Sequence, residues 1–123
     1  MISHFSIGVR DLVRSRAFYD ACLKPLGYRR VRDFPDAAGY GMADGATFWA
    51  GVEKGAKPSK GFHVCFAAPT RSAVRAFHRA ALKAGGADNG KPGLRPQYRP
   101  GYYAAFVNDP DGHHIEALTF SPK

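Results

Sequence analysis

Three side chains stand out for the chemistry they could share: His4, His63 and Glu116. Two imidazoles and one carboxylate form a facial set that holds a divalent ion such as Fe(II) or Mn(II) and leaves positions open for a substrate. The set contains no cysteine, unlike the thiolate cages of structural zinc. A lone histidine in a strand is ordinary, but here two recur 59 residues apart in matching surroundings. Phe5, Ile7 and Val9 alternate after His4, as Val64, Phe66 and Ala68 do after His63. Successive side chains of a strand point to opposite faces, so each histidine opposes its apolar neighbours, and Glu116 opposes Ile115. If helices cover the apolar faces and the sheets curve around a common cavity, all three polar side chains point into it.

The elements that must hold them are written twice. Residues 3–9 read as a strand and Asp11 as a helix N-cap, its carboxylate able to accept from free backbone N–H groups. Phe18, Tyr19, Cys22, Leu23 and Leu26 then recur at helical spacing until Gly27 stops the helix. Three strand segments follow, 28–34, 38–43 and 46–52, broken by Pro35-Asp36 and Asp44-Gly45. After a Gly/Pro/Lys linker at 55–60 the pattern restarts: strand 62–68, Thr70 as N-cap, a helix through Lys83 and a stop at Gly85-Gly86. A strand is expected near 94–98, and 101–108 with 113–120 make a last hairpin about Asp109-Pro110-Asp111-Gly112. The predicted fold is α+β, two tandem βαβββ modules forming a curved mixed sheet around a cavity. One domain spans 1–123, with modules 1–54 and 61–123.

The two Asp-Gly turns, Asp44-Gly45 and Asp111-Gly112, lie 67 residues apart, which pairs Phe48 with Ile115 and Trp49 with Glu116. A carboxylate in module two therefore has an indole as its counterpart. His113 and His114 read as solvated turn residues, with His114 on the parity of Glu116 and so a rim residue or spare ligand. His78 reads as a boundary residue of the second helix.

The chain has 123 residues, a formal charge of +8 and 45% hydrophobic residues, a composition that suits one globular domain. Arg71, Arg75, Arg79 and Lys83 form a basic stripe at four-residue spacing, read as a solvated helix face because no nucleic-acid motif accompanies it. Cys22 and Cys65 lack zinc or disulfide spacing and read as small buried residues. No signal pattern or membrane-length apolar run occurs, so no membrane partner is expected and a cytoplasmic location is the default reading.

The run His4-Phe5-Ser6-Ile7-Gly8-Val9-Arg10-Asp11-Leu12 with Ser15 and Phe18-Tyr19, the strand His63-Val64-Cys65-Phe66, and Phe106-Val107-Asn108-Asp109-Pro110-Asp111-Gly112-His113-His114-Ile115-Glu116 resemble the glyoxalase/bleomycin resistance/dioxygenase, or vicinal oxygen chelate, superfamily. The resemblance covers essentially the whole chain. It implies paired βαβββ modules, a small-molecule substrate or ligand, commonly a homodimer, and often a divalent metal, with Fe, Mn, Zn and Ni all open. Glyoxalase I adds a second glutamate where this chain has Trp49, so the isomerase reading is disfavoured. Extradiol dioxygenases and fosfomycin-modifying enzymes use two histidines and one glutamate at the matching places, which implies a dioxygenase-like or epoxide/thiol-transfer-like enzyme with His4, His63 and Glu116 as ligands. Ser6, Trp49, Tyr102 and Phe106 would line the substrate pocket, and Arg95 or Arg99 would meet an anionic group. The alternative is a metal-free drug-binding protein of the bleomycin-resistance type, with Trp49, Tyr40, Tyr102 and Phe106 as stacking surface.

Overall fold

Strand β1 (Phe5–Val9) leads into helix α1 (Leu12–Leu23), a 3₁₀ turn (Lys24–Leu26) and strands β2 (Arg29–Phe34), β3 (Ala37–Gly41) and β4 (Phe48–Val52) in the computed structural model, which describes residues 1–123. Strand β5 (His63–Ala67), helix α2 (Arg71–Lys83) and strands β6 (Ala87–Leu94), β7 (Tyr103–Asn108) and β8 (His114–Thr119) repeat the order. The sheets run β1-β4-β3-β2 and β5-β8-β7-β6, each with its first strand parallel to its last and the other pairs antiparallel.

The helix signals act as their chemistry requires. Asp11 accepts from Arg14 N at 3.2 Å, and Thr70 Oγ1 accepts from Ala73 N at 3.0 Å, so each cap satisfies a donor that the first turn leaves free. Gly27 takes φ 91°, a left-handed conformation open to glycine at little cost, and ends the first helical segment. The inner stripes, Leu12, Ser15, Phe18, Tyr19, Cys22 and Leu23 on α1 and Ala73, Val74, Phe77, His78 and Ala81 on α2, are buried. Apart from Ser15 and His78, they join Ile7, Val9, Phe48, Val64, Phe66 and Ile115 in one apolar cluster shared by both modules. Phe48 and Phe66, from different modules, meet edge to face with ring centroids 5.4 Å apart, and Phe5 tilts against Phe48 at 5.2 Å, both within the range of favourable aromatic pairs.

The expected strand at 94–98 is corrected to β6, Ala87–Leu94. Its glycines and Pro92 count against a central strand, but β6 is an edge strand that pairs only with β7, with register breaks between Asp88 and Gly90 and between Gly90 and Gly93. Residues 95–98 form a turn instead, with Tyr98 N donating to Arg95 O at 3.0 Å.

The hairpin at 109–112 does more than reverse the chain. Asp109 Oδ2 accepts from the Tyr19 hydroxyl at 2.6 Å, and its Oδ1 accepts from Asp111 N and His113 N at 3.0 and 2.8 Å. Asp111 Oδ1 accepts from Arg10 N, Arg10 Nε and Arg14 Nη2 at 3.2, 2.8 and 3.0 Å. His113 is buried, and its Nε2 donates to Gly8 O at 2.8 Å, so it is not the solvated turn residue expected. These bonds tie the last hairpin of module two to the first strand and helix of module one. His78 is buried as well and bonds Asp88 of β6 at 2.8 Å.

Candidate functional site

Glu116 is 1% exposed although it lies on the face of β8 opposite the core residues Ile115 and Ala117. Its register partners are Cys65 on β5 and Phe106 on β7. His63, at the start of β5, sets Nε2 3.1 Å from Glu116 Oε1, and Tyr102 donates its hydroxyl to Glu116 Oε2 at 2.5 Å. Burial and the bond to Glu116 raise the Tyr102 phenol, which stays protonated and a donor. A buried carboxylate needs such partners, because an unsatisfied one is costly.

Cys65 departs from its expected role as a buried apolar residue. It is free and exposed, and its alternation with His63 had already placed it on this face. Its thiol lies beside Glu116, where desolvation and then the carboxylate's charge push its pKa up to about 12.

The loop from β6 to β7 walls this face. Tyr102 is flanked edge-on by Tyr98 and Phe120 at 5.2 and 5.6 Å, and Arg99 stacks over Phe120 at 4.5 Å. Arg95 lies 5.4 Å above Phe106 and donates to the carbonyls of Gly93 and Lys91 at 2.8 and 2.7 Å. Neither arginine has a carboxylate partner in the chain. A depression of about 280 Å³ next to His63 is lined by Phe62, Phe106, Tyr98, Lys60, Asn89 and His114 among others. Only Phe106, His63 and His114 among these were flagged by the sequence; Phe62 adjoins His63, and that adjacency was the available signal. His114 Nδ1 bonds Asn108 Oδ1 at 2.7 Å.

His4, Ser6 and Trp49 sit elsewhere, around a depression of about 410 Å³ on the open face of the first sheet. Trp49 stacks on Phe34 at 6.1 Å with 20° between the ring planes, and Ser6 is its register partner. His4 is exposed just before β1, its Nδ1 3.1 Å from Ser3 Oγ. Tyr40, expected as stacking surface in the ligand-binding alternative, is instead fully buried on the core side and donates to Asp20 at 2.8 Å. Its position on β3 follows the parity of Phe48, its register partner.

The family model described as Glyoxalase/Bleomycin resistance protein/Dioxygenase superfamily matches residues 1–117. The chain belongs to this superfamily. A glyoxalase/bleomycin resistance protein of known crystal structure from Albidiferax ferrireducens T118 is similar at 33% identity and TM-score 0.86, over 94% of this chain and 96% of that one. A glyoxalase-related enzyme from Fulvimarina pelagi shares the fold at 21% identity and TM-score 0.75, over 96% and 86% of the two chains. A glyoxalase I mutant from Zea mays does so at 23% identity and TM-score 0.72, where 95% of this chain covers 46% of that one. Among curated proteins nothing matches the sequence.

Superfamily membership makes the fit of a divalent ion a question for the donors present. Two ligands at right angles about one ion, each bonded at ~2.1 Å, lie ~3.0 Å apart. His63 Nε2 and Glu116 Oε1, at 3.1 Å, fit two such positions. A single chain gathers no group of three His, Cys, Asp or Glu side chains able to hold a metal. His4, the third donor expected, is on the other sheet. No helix is long and apolar enough to cross a membrane.

Proposed function

We propose that this chain is a small metal-dependent enzyme of the vicinal oxygen chelate type, with His63 and Glu116 of one copy and His4 of a second copy holding a divalent ion in a homodimer. The observation that carries the reading is a buried carboxylate on an otherwise open sheet face, paired with an imidazole at ligand-to-ligand distance. The dimer is supported by where the donors lie. Each sheet turns its inner face to the shared core and leaves its outer face open, one bearing His4 and the other His63 with Glu116. A second copy docked with opposite modules face to face would complete two equivalent sites.

A divalent ion bound there supplies Lewis acidity to vicinal oxygens of a substrate or to an oxyanion forming from it. The chain's own residues do the rest. His63 and Glu116 orient the donor set; Ser6 offers a hydroxyl; Trp49 and Phe106 form apolar walls. Arg99, stacked on Phe120 without a carboxylate partner, draws an anionic group toward the loop. An oxygenated, anionic small molecule fits these groups, in dioxygenase-like or epoxide/thiol-transfer-like chemistry. Two unpaired cysteines suit the reducing cytoplasm.

One observation favours a second reading, a metal-free binder of flat molecules. Both Glu116 oxygens already have partners within the chain, and Tyr98, Tyr102, Phe106 and Phe120 supply rings around it. Elemental analysis of protein purified without a histidine tag separates the two. The enzyme reading expects a stoichiometric divalent metal that disappears in His63→Ala. Metal-free protein that cannot be loaded with Mn(II), Fe(II), Zn(II) or Ni(II), yet binds planar aromatics, contradicts it.

A further inference from the structure

We propose that Tyr102 is a positioning residue that limits Glu116 to one-oxygen coordination, an inference that rests on the metal-binding reading above. A carboxylate can meet a cation through one oxygen or through both. Here the oxygens are already differentiated. Oε1 faces His63 Nε2 at 3.1 Å, while Oε2 takes the Tyr102 hydroxyl at 2.5 Å. A hydroxyl donating to a carboxylate makes a charge-assisted hydrogen bond, roughly twice as strong as a neutral one. A competing second bond from Oε2 to a cation must displace or weaken this one.

The hydroxyl is delivered from outside the strands that carry the donors. Tyr102 precedes β7 at the end of the loop over residues 95–101, and two backbone bonds close that loop on itself: Arg95 N to Tyr102 O at 2.7 Å and Tyr102 N to Arg99 O at 3.2 Å. Tyr98 on one side and Phe120 on the other hold the ring. The phenol is therefore fixed by packing and backbone before any cation arrives, which is the condition for a supporting group to set a ligand's geometry. With Oε2 retained by Tyr102, Glu116 contributes Oε1 alone, and the position its second oxygen would take stays open to a substrate oxygen. Module one has no counterpart, because Trp49 stands where Glu116 stands in module two.

The test is Co(II) titration of the untagged, full-length protein and of Tyr102→Phe, which keeps the ring and its packing. The visible d–d absorption reports coordination number, and azide serves as the probe of an open position. The wild type is expected to bind Co(II) and to shift its spectrum with azide. In Tyr102→Phe, with Co(II) still bound and the thermal unfolding midpoint near that of wild type, the freed Oε2 joins the ion. The d–d absorptivity then falls and azide affinity drops roughly tenfold, the scale of one charged hydrogen bond. Tyr98→Phe removes a neighbouring hydroxyl that does not touch Glu116, and leaves both readouts unchanged. Superimposable spectra and equal azide affinity in wild type and Tyr102→Phe overturn the inference, as does an equal change in Tyr98→Phe. A wild type that binds no Co(II) overturns the metal-binding reading itself and this inference with it.

Discussion

The two modules share one register and fill it in opposite ways. In module one the central strand carries the large residue and its neighbour the small one: Trp49 on β4 faces Gly39 on β3. In module two the same register positions hold Glu116 on β8 and Phe106 on β7. A Cβ on Gly39 would stand 3.0 Å from the Trp49 ring and 2.8 Å from Ala46 Cβ, so the indole lies flat over bare backbone. Module one thus offers an aromatic floor and module two a polar one. The Asp-Gly turns diverge as well: Asp44 is exposed, whereas Asp109 and Asp111 are buried and bonded to module one. The two modules share a scaffold, and the differences between them leave an aromatic face on one, a buried carboxylate bonded to an imidazole on the other, and a turn that clamps the two together.

The sharpest break of this contrast is Glu116→Gln set against Trp49→Phe. Metal affinity, followed by the metal retained in elemental analysis, is expected to fall with Glu116→Gln by more than the roughly 10–100-fold that an outer-shell partner carries. Trp49→Phe is expected to leave it unchanged. Equal losses would mean that the modules do not differ as described.

The turns give the next largest effect. Asp109→Ala leaves the buried Tyr19 hydroxyl and the backbone N–H groups of Asp111 and His113 without an acceptor. At about 1–3 kcal/mol for each stranded group, partly recovered by water, a loss of about 3–5 kcal/mol is expected in urea unfolding. Asp44→Ala at the matching turn is expected within about 0.5 kcal/mol of wild type.

Gly39→Ala sharpens the floor of module one. Overpacking against Trp49 and Ala46 is expected to cost about 1–3 kcal/mol by the same measurement. Gly45→Ala, where nothing lies within 4 Å of the added carbon, serves as the near-neutral comparison.

The smallest effect is on a rate. Cys65 is exposed, but with its pKa pushed up to about 12 only ~1 part in 10⁴ is thiolate at pH 8, and iodoacetamide labelling is expected to be slow. Labelling should accelerate as pH rises without a plateau below pH 10. Glu116→Gln removes a negative charge that raises the pKa, so the thiolate fraction and the labelling rate at pH 8 should increase several-fold. Labelling is followed by mass spectrometry, with buried Cys22 unmodified in the native protein.

Alternation and offset carried most of the fold into view. The 59-residue spacing matches Phe5 with Val64 and the 67-residue spacing matches Phe48 with Ile115, and the structure keeps that correspondence, Phe5 pairing with Phe48 in one sheet and Val64 with Ile115 in the other. The same register put Trp49 opposite Glu116 in the comparison of modules, and their partners Ser6 and Cys65 match it. Strand β6 escaped because glycine and proline are penalised in central strands and tolerated at an edge. Asp109 and His113 escaped because a turn motif describes local backbone, while their bonds reach a helix and strand about a hundred residues earlier in the chain. Whether His4 and His63 meet within one chain was left open by the sequence for a related reason. Periodicity assigns faces within a strand, but how two sheets are set against each other is decided by the core between them.

The central claim, that opposite modules of two copies complete one site, is tested most directly by mixing two defective chains. His4→Ala and Glu116→Ala homodimers are each expected to lack metal. Unfolded, mixed in equal amounts and refolded, they should regain about a quarter of the wild-type metal, because random pairing makes half the dimers mixed and each mixed dimer has one whole site of two. A folded, dimeric mixture that binds no metal, or a His4→Ala homodimer that keeps its full complement, contradicts the account.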